Sequence, residues 1–302
     1  MSQQNSAEAI VITGIGAVTP IGSEASGLWK GALGGTSAVD QITRFDPTLF
    51  GCHIAAEVRD FDPTTFMDAK QARRFDRYSQ FALACSKMAL EDAGLDPSSI
   101  PPDRVGVCMG TALGGISYAE KEHLAFIENG PRAVSPLLAL SIFAGAGSCN
   151  VAIEYGFTGP ATANGDSCAS SPIALGSALN YLRRGEADVM IAGGAEAPLS
   201  PLAFGAFALI RAMSSRNEDP KTASRPFSKD RDGFVMAEGG AVMILETRRH
   251  AEKRGANIYA ELAGYSLTND GHHMTAPRPD ALASSRAMRQ AVERAGLTMD
   301  EI

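Results

Sequence analysis

The chain is predicted to be an α/β protein in which helices cover a buried sheet. Three observations lead there. An early run of strand formers, "AIVITGIGAV", gives way to a helical pattern near Ser23 to Leu33. Two later apolar runs, "RVGVCMG" and "ADVMIAGG", are short, unbroken and end in glycine, as strands buried on both faces do before a tight turn. Strand-like and helix-like segments then alternate along the chain, which favours layers of helix against sheet.

The clearest helix is predicted from about Ala69 to Ala93. There Phe75, Tyr78, Ala82, Cys85 and Ala89 recur at steps of three and four, and Gly94 is placed to end it. Cys85 on that stripe and Cys108 inside "RVGVCMG" read as core residues. "SSRNEDPKTASRPFSKDRDG" is polar but too varied for low complexity and reads as a long ordered loop. A β-rich segment, "GFVMAEGGAVMILE", a short helix, a strand near Ile258 to Tyr265 and a helix from about Asp280 to Ala295 complete the order.

At 302 residues, with 45% hydrophobic and 20% charged residues, the chain can bury one large core or two modest ones. It has no run of eighteen apolar residues, and "MSQQNSAEAIVITG" lacks the basic start and apolar stretch of a leader, so a cytoplasmic protein that neither spans a membrane nor is exported is expected. The five cysteines, Cys52, Cys85, Cys108, Cys149 and Cys168, are odd in number and widely spaced, which suggests neither a disulfide framework nor a zinc site. A formal charge of −7 argues against general nucleic-acid binding, and an acidic partner would need a local basic patch.

"GIGAVT" has Thr19 where the third glycine of a dinucleotide fingerprint would stand. No G-x-x-x-x-G-K-[ST], H-E-x-x-H or G-x-S-x-G occurs either. His272 and His273, if on a strand, would point to opposite faces, so a structural or substrate-contact role is expected over a metal site.

Cys168 stands apart. Small polar residues precede it in "NGDSCASSPIALG". The helical spacing that follows carries Pro172 in its first turn and ends in Arg183, Arg184 and Gly185. That puts Cys168 at a helix N-terminus, where unpaired N–H groups and the helix dipole favour a thiolate. The residues alone leave two readings open, a nucleophile and a cap cysteine without chemistry.

Several ordered stretches decide between them. "VITGIGAVTPIG", "GTALGGISYAE", "NGPRAVSPLLAL", "GPATANGDSCASS", "ADVMIAGGAEAPLSPLAFGAFALIRAMSSRNEDP", "SRPFSKDRDGFVMAEGGAVMILE" and "HMTAPRP" together resemble the elongating β-ketoacyl-[acyl-carrier-protein] synthases, most of all synthase II. The resemblance runs almost continuously from Ile10 to the last residues. It implies the thiolase fold, a layered α-β-α-β-α stack. Residues 1–257 would be the half carrying the nucleophile and 258–302 the start of a second, incomplete half. It also implies a homodimer, acyl carrier protein as partner, acyl and malonyl thioesters as substrates, and neither metal nor organic cofactor.

By the same resemblance Cys168 is the catalytic nucleophile and its backbone N–H one oxyanion donor. The reaction loads an acyl group onto Cys168, decarboxylates malonyl-carrier protein, and joins the resulting enolate to the thioester. Leu113, Leu138 and Phe207 correspond to acyl-pocket positions, with Leu138 reaching across the dimer; plain core residues are the other reading. His273 and Thr275 correspond to the floor of the site. Lys70, Arg73, Arg74, Arg132 and Arg211 correspond to the basic rim that receives the acidic carrier protein, the other reading being a solvated helix face.

The sequence departs from the family twice. Two catalytic histidines, a later lysine and the loop giving the second oxyanion donor are expected beyond Ile302, and a chain that stopped there is expected not to complete condensation. Asp166 and Ser167 also stand where the family has threonine or serine followed by alanine, and a nearby carboxylate would oppose a thiolate. Three other readings stay in view. They are a non-catalytic chain-length-setting subunit, which Cys168 speaks against, a polyketide-type synthase, and a thiolase acting on coenzyme A esters, which "SRPFSKDRDGFV" and "HMTAPRP" count against.

Overall fold

The structure is a computed structural model that describes residues 8–302; the leader reading of Met1–Ala7 lies outside the described residues. It opens with strand β1 (Ile10–Thr19), β2 (Gly22–Ser23), helix α1 (Glu24–Leu33) and the small hairpin partners β3 (Val39–Gln41) and β4 (Ile54–Ala56). Then come α2 (Ala69–Arg74), α3 (Arg77–Asp92), β5 (Val105–Gly110), α4 (Ile116–Asn129), α5 (Leu138–Ser141), α6 (Ala146–Tyr155), β6 (Ala161–Asn164), α7 (Ser170–Arg183), β7 (Val189–Glu196) and α8 (Pro201–Leu209). The chain ends with β8 (Gly239–Thr247), α9 (Arg248–Lys253), β9 (Ala260–Glu261) and α10 (Leu282–Arg294).

One mixed sheet runs in the order β2-β1-β8-β7-β5-β6, with β9 also paired to β1. β5 pairs in parallel with β6 and β7, while β8 runs antiparallel to β7 and β1. Successive residues of the central strands enter two different cores, because strand side chains alternate between faces. Val107, Ile191 and Ile244 pack with Tyr78, Phe81, Cys85 and Ala89 of α3. Cys108, Met190 and Leu245 pack with Ala174, Ala178, Leu179 and Leu182 of α7. Burial on both faces is why these strands read as unbroken apolar runs. The glycines of "GIGAVT" serve this packing: a Cβ on Gly14 would lie 2.2 Å from the Ala89 carbonyl oxygen, and one on Gly16 2.0 Å from that of Cys85.

Four expectations are corrected. The helix predicted over 69–93 is two helices, broken where Phe75 is extended (ψ 138°) and Asp76 caps α3 by accepting the Tyr78 N–H. Asp68 and Gln71 form a capping box that starts α2. Apolar spacing runs through the break because both helices face the same core, so periodicity alone hides it. The strand predicted over 258–265 contracts to β9; Leu262 still donates to the Ile10 carbonyl, after which Gly264 turns against α10. The β-rich segment becomes a strand only at Gly239, preceded by isolated bridges from Phe234 to Met213 and from Ala237 to Ala56. His272 and His273 lie in an irregular segment rather than on a strand, so the opposite-face argument does not apply to them.

The polar loop is ordered as expected, by Arg225 ion-paired to Asp230 and Asp232 and by the Ser214 hydroxyl donating to Asp232 at 2.8 Å. Residues 258–302 add β9, paired to β1, and α10, and between them the Tyr265 ring covers Gly176 of α7. The described residues thus build helix, sheet and helix layers, and the second large sheet of a five-layer stack is not formed among them. Among the described residues no helix is long and apolar enough to cross a membrane.

Candidate active site

The parallel strands β5, β6 and β7 end on the same side of the sheet, where α/β proteins place their sites. A cavity of about 410 Å³ opens there, its walls drawn from Gly110 to Ala112, Ser167 to Ser171, Gly194 to Glu196 and Gly239 to Ala241. Cys168 lies on its rim.

The chain reaches Cys168 through a sharp turn between β6 and α7. The Asp166 N–H donates to Asn164 Oδ1 at 3.3 Å, and the Asn164 amide donates across the turn to the Ser170 carbonyl at 3.0 Å. Ser167 takes a left-handed φ of +53°, a conformation that a non-glycine residue holds at a cost. A single 3₁₀ turn, Ser167–Ala169, then runs into α7. Cys168 therefore sits in the turn just before the helix proper, as the proline and cap pattern led us to expect.

Two glycines let that turn approach the sheet. A Cβ on Gly110 would lie 2.3 Å from the Ser170 carbonyl carbon, and one on Gly194 2.1 Å from Ser171 Oγ. Any larger residue would hold the start of α7 away from the strand ends.

The other cysteines differ from Cys168. Burial pushes the Cys85 thiol up to about 12, and it also raises Cys52 and Cys108. Cys85 and Cys108 are core residues, as read from the sequence. Cys149 is exposed on α6 and does not line the cavity. Asp166 is exposed, and after burial its charge is the next cause of a raised Tyr265 hydroxyl.

Sequence reasoning missed another part of the cavity lining. Glu196 ends β7, and its Oε2 accepts hydrogen bonds from the Ala112 N–H, the Leu113 N–H at 3.1 Å and the Thr111 hydroxyl at 3.1 Å. Burial raises its carboxyl above the usual range, against the pull of those donors. Asp76, also buried, is pushed up to about 6 by desolvation, with the charge of Glu196 adding to the rise. No local pattern marks Glu196, because its donors lie on the loop after β5, more than eighty positions away.

The remaining residues named from the sequence are not gathered in this cavity. Leu113 and Leu138 are half-buried on the loop after β5 and on α5. The Phe207 ring on α8 meets Phe234 edge-on at 5.8 Å beside the core under β3 and β4. His273 and Thr275 are exposed in one turn, with His273 Nδ1 accepting the Thr275 and Ala276 N–H groups, each at 3.1 Å. Among the described residues no histidine lines the cavity, and no group of three metal-ligating side chains forms.

Lys70, Arg73 and Arg74 are exposed on α2, Arg132 on a 3₁₀ turn after α4, and Arg211, with φ of +55°, just after α8. These elements neighbour one another. The Ser141 hydroxyl of α5 donates to the Arg74 carbonyl at 3.4 Å, and α4 packs against α5, the turn carrying Arg132, and α8.

Residues 7–251 match the family model described as "Beta-ketoacyl synthase, N-terminal domain", and residues 259–302 match "Beta-ketoacyl synthase, C-terminal domain". The 3-oxoacyl-[acyl-carrier-protein] synthase 2 of Synechocystis sp. is 42% identical over 288 residues, 95% of this chain and 69% of that protein. Its namesake from Staphylococcus aureus is 40% identical over 293 residues, 97% of this chain and 70% of that protein. Among solved structures, a beta-ketoacyl synthase from Burkholderia phymatum superposes with a TM-score of 0.87 at 32% identity, over 98% of this chain and 72% of that one. The ishigamide ketosynthase/chain length factor gives 0.91 at 33% identity over the same shares. AntDE:AntF, a type II PKS acyl-carrier protein in complex with its ketosynthase bound to the hexaketide, gives 0.86 at 34%, again over 98% and 72%.

Proposed function

Because the chain belongs to the beta-ketoacyl synthase family and has its thiolase-type layered fold, we propose that it elongates acyl chains in fatty acid synthesis, in the cytoplasm and as a homodimer, by decarboxylative Claisen condensation. The Cys168 thiolate attacks the carbonyl carbon of an acyl-carrier-protein thioester. The carrier-protein thiol leaves with the proton that Cys168 gave up, and the acyl group stays on sulfur. Malonyl-carrier protein then loses carbon dioxide, and the electron pair of the broken bond forms an enolate. The enolate carbon attacks the acyl carbonyl and expels Cys168 as thiolate, leaving β-ketoacyl-carrier protein.

The observation that carries this reading is the position of Cys168. It is the one cysteine on the cavity at the strand ends, held on a left-handed turn directly before α7. The Cys168 N–H would donate to the developing oxyanion, one of the two donors such a step needs. Stabilising the malonyl carboxylate and the enolate falls to groups that the family resemblance expects beyond Ile302, so the acyl-transfer step is the one these residues support most directly.

The exposed cations around α2 and α8 support acyl carrier protein as partner, since a local positive field steers an acidic protein even toward a chain of net negative charge. Leu113, Leu138 and Phe207 remain the proposed acyl-pocket positions, and His273 and Thr275 the proposed floor, in the assembled protein. The curated relatives, 40–42% identical, are both 3-oxoacyl-[acyl-carrier-protein] synthase 2, which supports the fatty acid reading.

The test is product formation. Full-length protein given acyl- and malonyl-carrier protein is expected to yield the β-ketoacyl product, and Cys168→Ala is expected to lower that rate by about three orders of magnitude or more. Equal rates would overturn the assignment.

A further inference from the structure

Glu196 binds in an unusual way: one oxygen accepts everything. The Ala112 N–H, the Leu113 N–H and the Thr111 hydroxyl all meet Oε2, while Oε1 is buried with no hydrogen-bond partner among the described residues. Thr111 Oγ1 in turn accepts the Gly114 N–H at 3.1 Å. The far end of the same segment is held by Asp76, whose Oδ2 accepts the Tyr118 N–H at 3.1 Å while Oδ1 caps α3 through the Tyr78 N–H at 3.0 Å. Between them the Ser117 hydroxyl donates to the Ala197 carbonyl at 2.7 Å. Residues 111–118, the loop after β5 and the first turn of α4, are thus tied at both ends to carboxylates on other elements. Thr111 and Ala112 line the same cavity as Cys168.

Burying a carboxylate costs free energy that a hydrophobic residue would not, and it fixes geometry in return. We propose that Glu196 is a positioning residue that holds the Thr111–Ala112 wall against the Cys168 cavity, and so sets which acyl groups Cys168 accepts. The inference rests on the acyl-Cys168 reading above.

The lopsided bonding sets the test. In Glu196→Gln the amide oxygen can take the place of Oε2 and keep all three donors, with its NH₂ at the site that now lacks a partner. Glu196→Asp is one methylene too short to reach them, and Glu196→Ala removes the acceptor. In the full-length protein, single-turnover acylation of Cys168 is measured with a short and a long acyl-carrier-protein thioester, and iodoacetamide alkylation reports on the thiol alone. E196Q is expected to keep the long-to-short rate ratio within about twofold, whereas E196D and E196A shift it by about tenfold or more with alkylation unchanged.

An unchanged ratio in folded E196A or E196D overturns the proposal. Should neither fold, Thr111→Val and Thr111→Ser decide: a ratio shifted by valine and restored by serine supports the clamp, and equal ratios overturn it. Wild-type protein that takes no acyl group on Cys168 overturns the functional reading itself, which is a distinguishable failure.

Discussion

Gly110 and Gly194 decide where Cys168 can sit. A methyl group on Gly110 would meet backbone atoms of Ser170 and Ser171 at 2.3–2.7 Å, and backbone cannot step aside as a side chain can. Gly110→Ala is expected to cost roughly 1–3 kcal/mol in denaturant unfolding and to slow acylation of Cys168 by about a hundredfold, because the nucleophile is displaced. Gly194→Ala meets the Ser171 hydroxyl first, a group that can rotate, although the Gly110 carbonyl lies 2.6 Å away, so a smaller loss is expected. Unimpaired acylation in Gly110→Ala would refute this account of the turn.

Asp76 makes a second residue-scale prediction. Its carboxyl, pushed up to about 6 by burial, holds a proton in the folded chain that the unfolded chain, near 3.8, gives up. Its contribution to stability is therefore full below about pH 4 and is lost as the pH rises through 6. Asp76→Asn has no carboxyl to titrate. Between pH 4 and 7 the wild type is expected to lose roughly 2–3 kcal/mol of unfolding free energy relative to the variant, measured in urea. Parallel pH profiles would contradict it. The place of Cys168 before a helix was legible because proline, small residues and a helix C-terminus framed it, while its role as nucleophile came from the family resemblance. Asp76 and Glu196 were not, because their role depends on donors 42 and 84 positions away, Tyr118 and Ala112, which no local pattern announces.

Among the elements, α2 and α3 show what periodicity can and cannot report. Apolar spacing identified the buried face, since Tyr78, Ala82, Cys85 and Ala89 all enter the core. It could not report the break at Phe75 and Asp76; that signal lay in the aspartates at 68 and 76, both helix caps. The break makes α2 a short separate helix with Arg73 and Arg74 exposed in its last turn. Reversing both charges, Arg73→Glu with Arg74→Glu, is expected to raise KM for acyl-carrier protein by about tenfold, to leave kcat within about twofold, and to flatten the dependence of kcat/KM on salt. An unchanged KM would favour the solvated-face reading of these residues. The contraction of the strand near Ile258 to β9 has a different cause: pairing with β1 supports it only as far as Leu262, and Gly264 then packs on α10.

For the whole molecule, layering was legible because both faces of the sheet leave their mark on the same strands, and glycine marked where those strands end. Quaternary structure leaves a fainter trace. β6 is the last strand of the sheet, with Ala161 and Ala163 exposed. Val107 donates to the Pro160 carbonyl and Thr111 to that of Asn164, so the even-numbered residues of β6 face β5 and the N–H groups of Ala161 and Ala163 face outward. An open edge of this kind invites pairing with a second chain. Sedimentation of the full-length protein is expected to give a dimer, and Ala163→Pro, which removes one outward N–H, is expected to weaken it about tenfold or more. A monomeric wild type would remove the homodimer from the account.

The central claim is that Cys168 carries the acyl group. It is tested most directly by the intact mass of the protein expressed from its own gene, before and after incubation with an acyl-carrier-protein thioester, with the modified residue mapped by peptide fragmentation. The account predicts a gain of one acyl group, located on Cys168 and absent from Cys168→Ala. No gain in mass, or an adduct on the exposed Cys149 instead, would contradict it.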